Sequence, residues 1–361
     1  MATKRNLWVV LFLLFGLYGC SSPNTQLVYV SSTQGNGVST VRLDSNTGAL
    51  TNVIGSPFPV GNSPATVVVN QSGTFAYTTN QAGNTISLLK VDRSTGMLAE
   101  ILPRTAAGIS PGPMTMDASG QFLFVGNVGS NSVSAYAIDP SQGTLKEITG
   151  SPFPADPSPT ALVIDPSGKF LYATNSNVAS VSAFAVGSDG SLQKVAGSPF
   201  PAGNAPSALV VSGEFLYVAN SRDNTISGFI IGSAGALTRI PQTPVPVGSD
   251  PVSLTFDPSG KFLYVANFAS ANISAFSVDA TSGAPSALVG SPFPATQSIV
   301  AITFELGGKF LVSLNQTSDS INEFTFDSST GALGTTTNSA SIDISQFASG
   351  KESPSSIFIT K

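Results

Sequence analysis

KFLYATN at 169–175, EFLYVAN at 214–220 and KFLYVAN at 261–267 are three copies of one phrase, and TFAYTTN at 74–80, QFLFVGN at 121–127 and KFLVSLN at 309–315 are looser ones. The closing residues Asn80, Asn127, Asn175, Asn220, Asn267 and Asn315 follow one another at intervals of 47, 48, 45, 47 and 48. A seventh copy, LVYVSS at 27–32, falls 48 residues before Asn80 when Ser32 takes the asparagine place. A fixed period of this size is the length of a four-stranded unit repeated around or along an axis.

Each unit reads as four strands. A short apolar run such as ALVID at 161–165 leads into a DPSG turn at 165–168 or 257–260, or DASG at 117–120. There the aspartate caps the backbone, proline presets φ and glycine takes the left-handed position. The FLYVAN strand follows, then a loop of about four residues, then strands such as SVSAFAV at 180–186 and TISGFII at 225–231. A glycine turn and a fourth strand end in GSPFP at 55–59, 150–154, 197–201 and 290–294. Proline donates no backbone hydrogen bond, so the reading puts GSPFP at the outermost edge. In 262–266 Phe262, Tyr264 and Ala266 point one way and Leu263 and Val265 the other, so both faces are apolar. A sheet packed between two neighbours needs that pattern.

The termini decide between a closed ring and an open stack. The first copy starts at its second strand, while SSIFIT at 355–360 reads as a first strand with nothing after it. The C-terminal strand is therefore expected to complete blade one. The fold class is all-β: a seven-bladed β-propeller of four-stranded antiparallel blades, closed by the C-terminal strand.

Lys4 and Arg5 precede an apolar run from Leu7 to Tyr18. Its 12 residues would span about 18 Å as a helix, too short to cross a bilayer and suited to a signal peptide. Leu17-Tyr18-Gly19-Cys20 resembles the lipobox of bacterial lipoproteins, in which the cysteine is lipidated and becomes the new N-terminus. Cys20 is the only cysteine in the chain. The expected organisation is a signal peptide at 1–19, a lipidated linker at 20–26 and a single propeller domain at 27–361. The protein is then exported and anchored to a membrane through Cys20, in the outer membrane if the host has one.

Composition excludes several chemistries. Loss of Lys4 and Arg5 takes the net charge from −5 to −7, which disfavours nucleic-acid partners. The sequence has no histidine, and no cysteine beyond Cys20. Ser-His-Asp and Cys-His nucleophilic systems and zinc sites built on those ligands are thereby ruled out. Ca²⁺ on Asp, Asn and carbonyl oxygens stays chemically open, although no EF-hand-like run exists. No other cofactor is implied.

Residues repeated in every blade are explained by blade folding, so a ligand site is sought where one blade departs from the rest. The closing asparagines and the turn aspartates Asp165 and Asp257 accordingly read as loop and turn formers. Most loops after the second strand are small and neutral, but blade five has Ser221-Arg222-Asp223 and blade six has Phe268-Ala269-Ser270. The connection between them holds Asp250. Arg222, Asp223, Asp250 and Phe268 are therefore the candidate ligand-binding residues. Arg104, Asp156 and the connection at 335–353, with Phe347, Lys351 and Glu352, are the other exceptions on that face.

The YATN and YVAN strands, the DPSGKFLY turn and the GSPFP ends resemble those of the YVTN-repeat propellers, and within them the lactonase family, which includes 6-phosphogluconolactonase and a muconate-cyclising branch. The resemblance spans about 27–361. It implies the propeller fold and a lactone-directed activity, while any family reliance on an active-site histidine cannot be met here. A carboxylate base with an arginine or a cation at the oxyanion could still open a lactone. Three readings stand: an envelope propeller binding a small molecule, glycan or protein through its loop face; a lactone hydrolase or cyclase without histidine; and a structural surface protein. The first is the reading favoured by the residues themselves.

Overall fold

Strands that are apolar on both faces have to be covered on both faces, and the computed structural model shows how this is done. It describes residues 24–33, 35–334, 339–341 and 354–360. These form seven antiparallel sheets and no helix. In blade five the order from the axis outward is Pro206–Ser212, Phe215–Asn220, Thr225–Ile231 and Leu237–Arg239. The innermost strands touch one another in sequence around a closed circle.

The core is divided among the seams. Seven apolar clusters are found among the described residues, one between each pair of neighbouring blades. In the FLYVAN strand of blade six every residue from Phe262 to Asn267 is buried. The strand's tyrosine also ties its blade to the next. Tyr77 Oη donates to Gly143 O at 2.8 Å, Tyr172 Oη to Gly235 O at 3.0 Å and Tyr264 Oη to Gly331 O at 2.6 Å, and Tyr217 Oη donates likewise to Gly283 O. These glycines have positive φ and lie against a phenylalanine of the preceding blade; a Cβ on Gly143 would come within 2.6 Å of the Phe75 ring.

Closure is as the termini imply. Pro354–Thr360 pairs with Thr25–Ser32 and is the inner strand of blade one, between Ile299–Phe304 and Pro64–Val69. The outer edge is more broken than expected from the prolines alone. In blade one the outer strand Leu50–Asn52 stops, the chain turns at Gly55, and Phe58–Pro59 re-joins the third strand at Gly37 and Val38. In the gap Ser56 Oγ accepts the Thr40 N–H at 2.9 Å, and Ser151, Ser198 and Ser291 do the same for Ala135, Ala183 and Ala275. The serine of GSPFP thus replaces the missing ladder bond. Blade two lacks the motif and has one continuous outer strand, Leu98–Ala106.

Candidate functional site

The loops after the second strands and the connections between blades meet at one end of the ring, and repeated bonds hold them there. Each closing asparagine is fully buried. Asn220 Nδ2 donates to Thr225 and Ser227 Oγ atoms at 3.1 and 3.0 Å, while its Oδ1 accepts the Gly203 N–H of the incoming connection at 3.0 Å. The connection then takes a left-handed residue just before the next inner strand, as at Ser63, Ser110, Ser158, Ala205, Asp250 and Ser298. Its carbonyl accepts from the residue after the asparagine; Phe268 N donates to Asp250 O at 2.8 Å.

Within this frame the four candidate residues form one belt. Asp223 receives the Asn204 backbone N–H at 2.7 Å and the Asn204 amide at 2.9 Å, and these bonds, the backbone one foremost, hold its carboxyl below the ordinary carboxylate range. Arg222 N donates to Asn204 O at 3.4 Å. Asn224 Oδ1 accepts the Asp250 N–H at 2.9 Å, which joins the blade-five loop to the blade-six connection. Asp250 is an aspartate where most blades use serine or alanine, all at positive φ, a conformation that Asp tolerates well. Arg222 and Asp223 are exposed, Asp250 and Phe268 half-buried.

Arg222 and Asp223 do not pair with each other. Among the described residues the two ion pairs are Arg104–Glu100 at 2.7 Å and Lys194–Asp156 at 2.8 Å. No hydrogen bond to the Arg222 guanidinium or the Asp250 carboxylate occurs among the described residues, so these two charges are uncommitted. They could hold an anionic or carbonyl oxygen and orient a hydroxyl, a water or a cation respectively. No group of three or more Asp and Glu gathers as metal ligands among the described residues. Phe347, Lys351, Glu352 and Cys20 lie outside the described residues.

Three features had no place in the sequence reading. Lys194 turned out to be the partner of Asp156. A groove of about 630 Å³ opens at the opposite end of the ring, between blades two and three, along Ser72, Phe75, Lys90 and Gln142. At the seam between blades seven and one Glu323 is buried with no partner for Oε1 among the described residues, and burial first, then the charge of Glu305, pushes its carboxyl up to about 8. The last of these had a signal in the repeat, because Glu323 stands opposite Val312 where Ala275 stands opposite Tyr264. The groove had none, since its walls come from turns far apart in sequence.

The architecture is therefore a closed seven-bladed propeller, with Arg222, Asp223, Asp250 and Phe268 at the loop end of blades five and six. A sequence profile described as Lactonase, 7-bladed beta-propeller matches residues 19–156 and 193–304, more than half of the chain, and the protein belongs to this family. A crystal structure of a candidate 6-phosphogluconolactonase from Bacteroides uniformis superposes with a TM-score of 0.80 at 20% identity, over 93% of this chain and all of that one. The periplasmic gluconolactonase PpgL of Pseudomonas aeruginosa gives 0.76 at 20% identity, over 93% of this chain and 99% of that one. Hydrazine synthase of Kuenenia stuttgartiensis gives 0.62 at 16% identity, over 82% and 94%. Likeness at these identities establishes the fold; the breadth of chemistry it spans shows why activity has to be argued from side chains. None of the curated proteins matches the sequence.

Proposed function

We propose that the protein hydrolyses a sugar lactone of the gluconolactone type at the loop face over blades five and six. The observation that carries this reading is the family match across both halves of the ring. It takes precedence over the non-enzymatic binding role favoured by the residues alone. In the proposed chemistry Asp250 takes a proton from the attacking water, Arg222 stabilises the charge growing on the lactone carbonyl oxygen, and Phe268 covers a ring face. Asp223, already held by Asn204, sets the loop that presents Arg222.

The test is the rate of opening of glucono-δ-lactone and 6-phosphogluconolactone by purified protein, with and without Ca²⁺. Catalysis should exceed spontaneous hydrolysis, and Asp250→Asn should lower kcat by about 10² or more, the usual contribution of a general base. A rate no higher than buffer for both lactones would remove the hydrolase reading. One observation favours a second reading, in which the same residues bind a ligand without turnover: the chain contains no histidine. Lactone or aldonate binding that is weakened by Arg222→Ala, with no catalysis, is the result that would select it.

Export and anchoring through Cys20 belong to the same proposal. The support is the apolar run of 12 residues ending just before the single cysteine. Cys20→Ser should move the protein from the detergent phase to the aqueous phase or leave it unprocessed, because acyl chains would be its only stable hold on a membrane. Unchanged partitioning would refute anchoring.

A further inference from the structure

Blade four holds a carboxylate of its own at a position where blade five has counterpart donors and, among the described residues, no acid. Asp156, on the connection entering blade four, accepts Ser182 Oγ at 2.7 Å and Lys194 Nζ at 2.8 Å through Oδ2. Burial raises the Asp156 carboxyl, and the Lys194 and Ser182 bonds outweigh it, so the group ends below the ordinary range. Strand register places the counterparts in blade five without ambiguity. Ser182 is opposite Ala173 as Ser227 is opposite Val218, and Lys194 is opposite Phe184 as Arg239 is opposite Phe229. The residue two beyond the edge proline is Asp156 after Pro154 and Gly203 after Pro201.

We propose that Arg239 and Ser227 form a binding site for the carboxylate of a small organic acid taken from solution. Arg239 is positioned but not neutralised. Its Nη2 donates to Pro201 O at 2.8 Å, its Nη1 lies 3.3 Å from Ser227 Oγ, and the guanidinium sits 5.2 Å from the Phe229 ring centre. All three partners are uncharged, and neither ion pair among the described residues involves Arg239. Carbonyl and ring fix the plane of the fork, leaving N–H groups for the bidentate contact a carboxylate makes best. Ser227 Oγ accepts from Asn220 and Arg239, so its own proton is available as the Ser182 proton is for Asp156. The corresponding outer-strand residues of blades two, three and six are Glu100, Glu147 and Ala287, so blade five is the one blade among these that pairs a cation with a glycine. The chain cannot readily supply the acid itself, because a Cβ on Gly203 would come within 2.5 Å of Asn220 Cγ.

The adjoining residue Asn204 carries Asp223, so the site borders the loop-face belt. It does not depend on hydrolysis, however, since binding is read without turnover. The experiment is calorimetric titration of the full-length protein with acetate, D-gluconate and inorganic phosphate. Acetate and gluconate should bind at one site, Arg239→Ala should weaken both at least tenfold, and Arg239→Lys should retain part of the affinity. Should the alanine variant fail to fold, Asp156→Gly provides an independent arm: it exposes Lys194 and Ser182, so the carboxylate stoichiometry should rise from one to two and return to one with Lys194→Ala added. Affinity unchanged in Arg239→Lys, no second site in Asp156→Gly, no carboxylate binding by the unaltered protein, or phosphate bound more tightly than either carboxylate would each overturn the proposal.

Discussion

The seam between blades six and seven and the seam between blades seven and one do the same job with different residues. At the first, Tyr264 stands opposite Ala275 and its hydroxyl reaches Gly331 O at 2.6 Å. At the second, Val312 replaces the tyrosine and Glu323 the alanine, and Glu323 Oε2 lies so close over Gly48 that a Cβ added there would collide with it. Glu305 and Gln26 complete that seam, with Gln26 Nε2 donating to Glu305 Oε2 at 2.7 Å. Lys309 is drawn away to Asn46 at 3.3 Å, and Asp44 uses its carboxylate on the Asn46 and Thr47 N–H groups. A neutral hydroxyl bridge has thus been exchanged for a buried acid facing a second carboxylate. The same blade geometry accommodates both fillings, but the second makes stability depend on protonation.

The largest effect expected is on the closing strand. A chain ending at Ser353 lacks the strand that pairs with Thr25–Ser32 and leaves Val28, Val30 and Val312 without Ile357 and Ile359. Loss on the order of 5 kcal/mol or more is expected from the uncovered apolar surface alone. A melting temperature within a few degrees of the intact chain would mean that blades seven and one are held by something other than this strand.

Next in size is the pH response of the same seam. The unfolded chain releases the Glu323 proton near pH 4.5 and the folded chain near pH 8, so between these values the folded state binds more protons. Stability from this group is complete below about pH 4.5 and falls as pH climbs to 8, by at most on the order of 5 kcal/mol. Denaturant unfolding across pH 5 to 9 measures the slope, and Glu323→Gln should flatten it. A slope identical in the two proteins would show that Glu323 is not the titrating acid.

A smaller contrast separates two tyrosines at equivalent positions. Tyr264→Phe removes a satisfied buried bond and should cost about 1 kcal/mol. Tyr29→Phe removes a buried hydroxyl that has no partner among the described residues and should cost nothing or stabilise slightly. Equal losses by calorimetry would contradict the assignment of the tyrosine as the blade-to-blade tie. Smallest of all, Arg222→Ala should leave the melting temperature unchanged, since its guanidinium is exposed and in no ion pair among the described residues. A measurable drop would give Arg222 a structural role and weaken its place in the site.

Much of this was legible in the chain. The asparagine spacing, the two-faced apolar strands and the orphan SSIFIT strand led to seven blades and to the closing strand. Arg222, Asp223, Asp250 and Phe268 were placed at one end of two neighbouring blades by counting alone. That Asp223 would be held by Asn204, that Asp250 would sit in a left-handed backbone position, and that Asp156 would find Lys194 were not legible, because each depends on which side chains meet across a connection.

By itself the sequence determined the fold, the number of blades and their order, because those follow from a period and from the need to bury both faces of every second strand. Only the tertiary structure decided which charges are already neutralised within the protein and which are left over. Arg239 and Lys194 look alike in their repeats, and Glu323 differs from its counterparts by one residue. Whether a charge is paired depends on distances of a few ångströms between blades, and a repeat pattern, which describes each blade separately, carries no record of them.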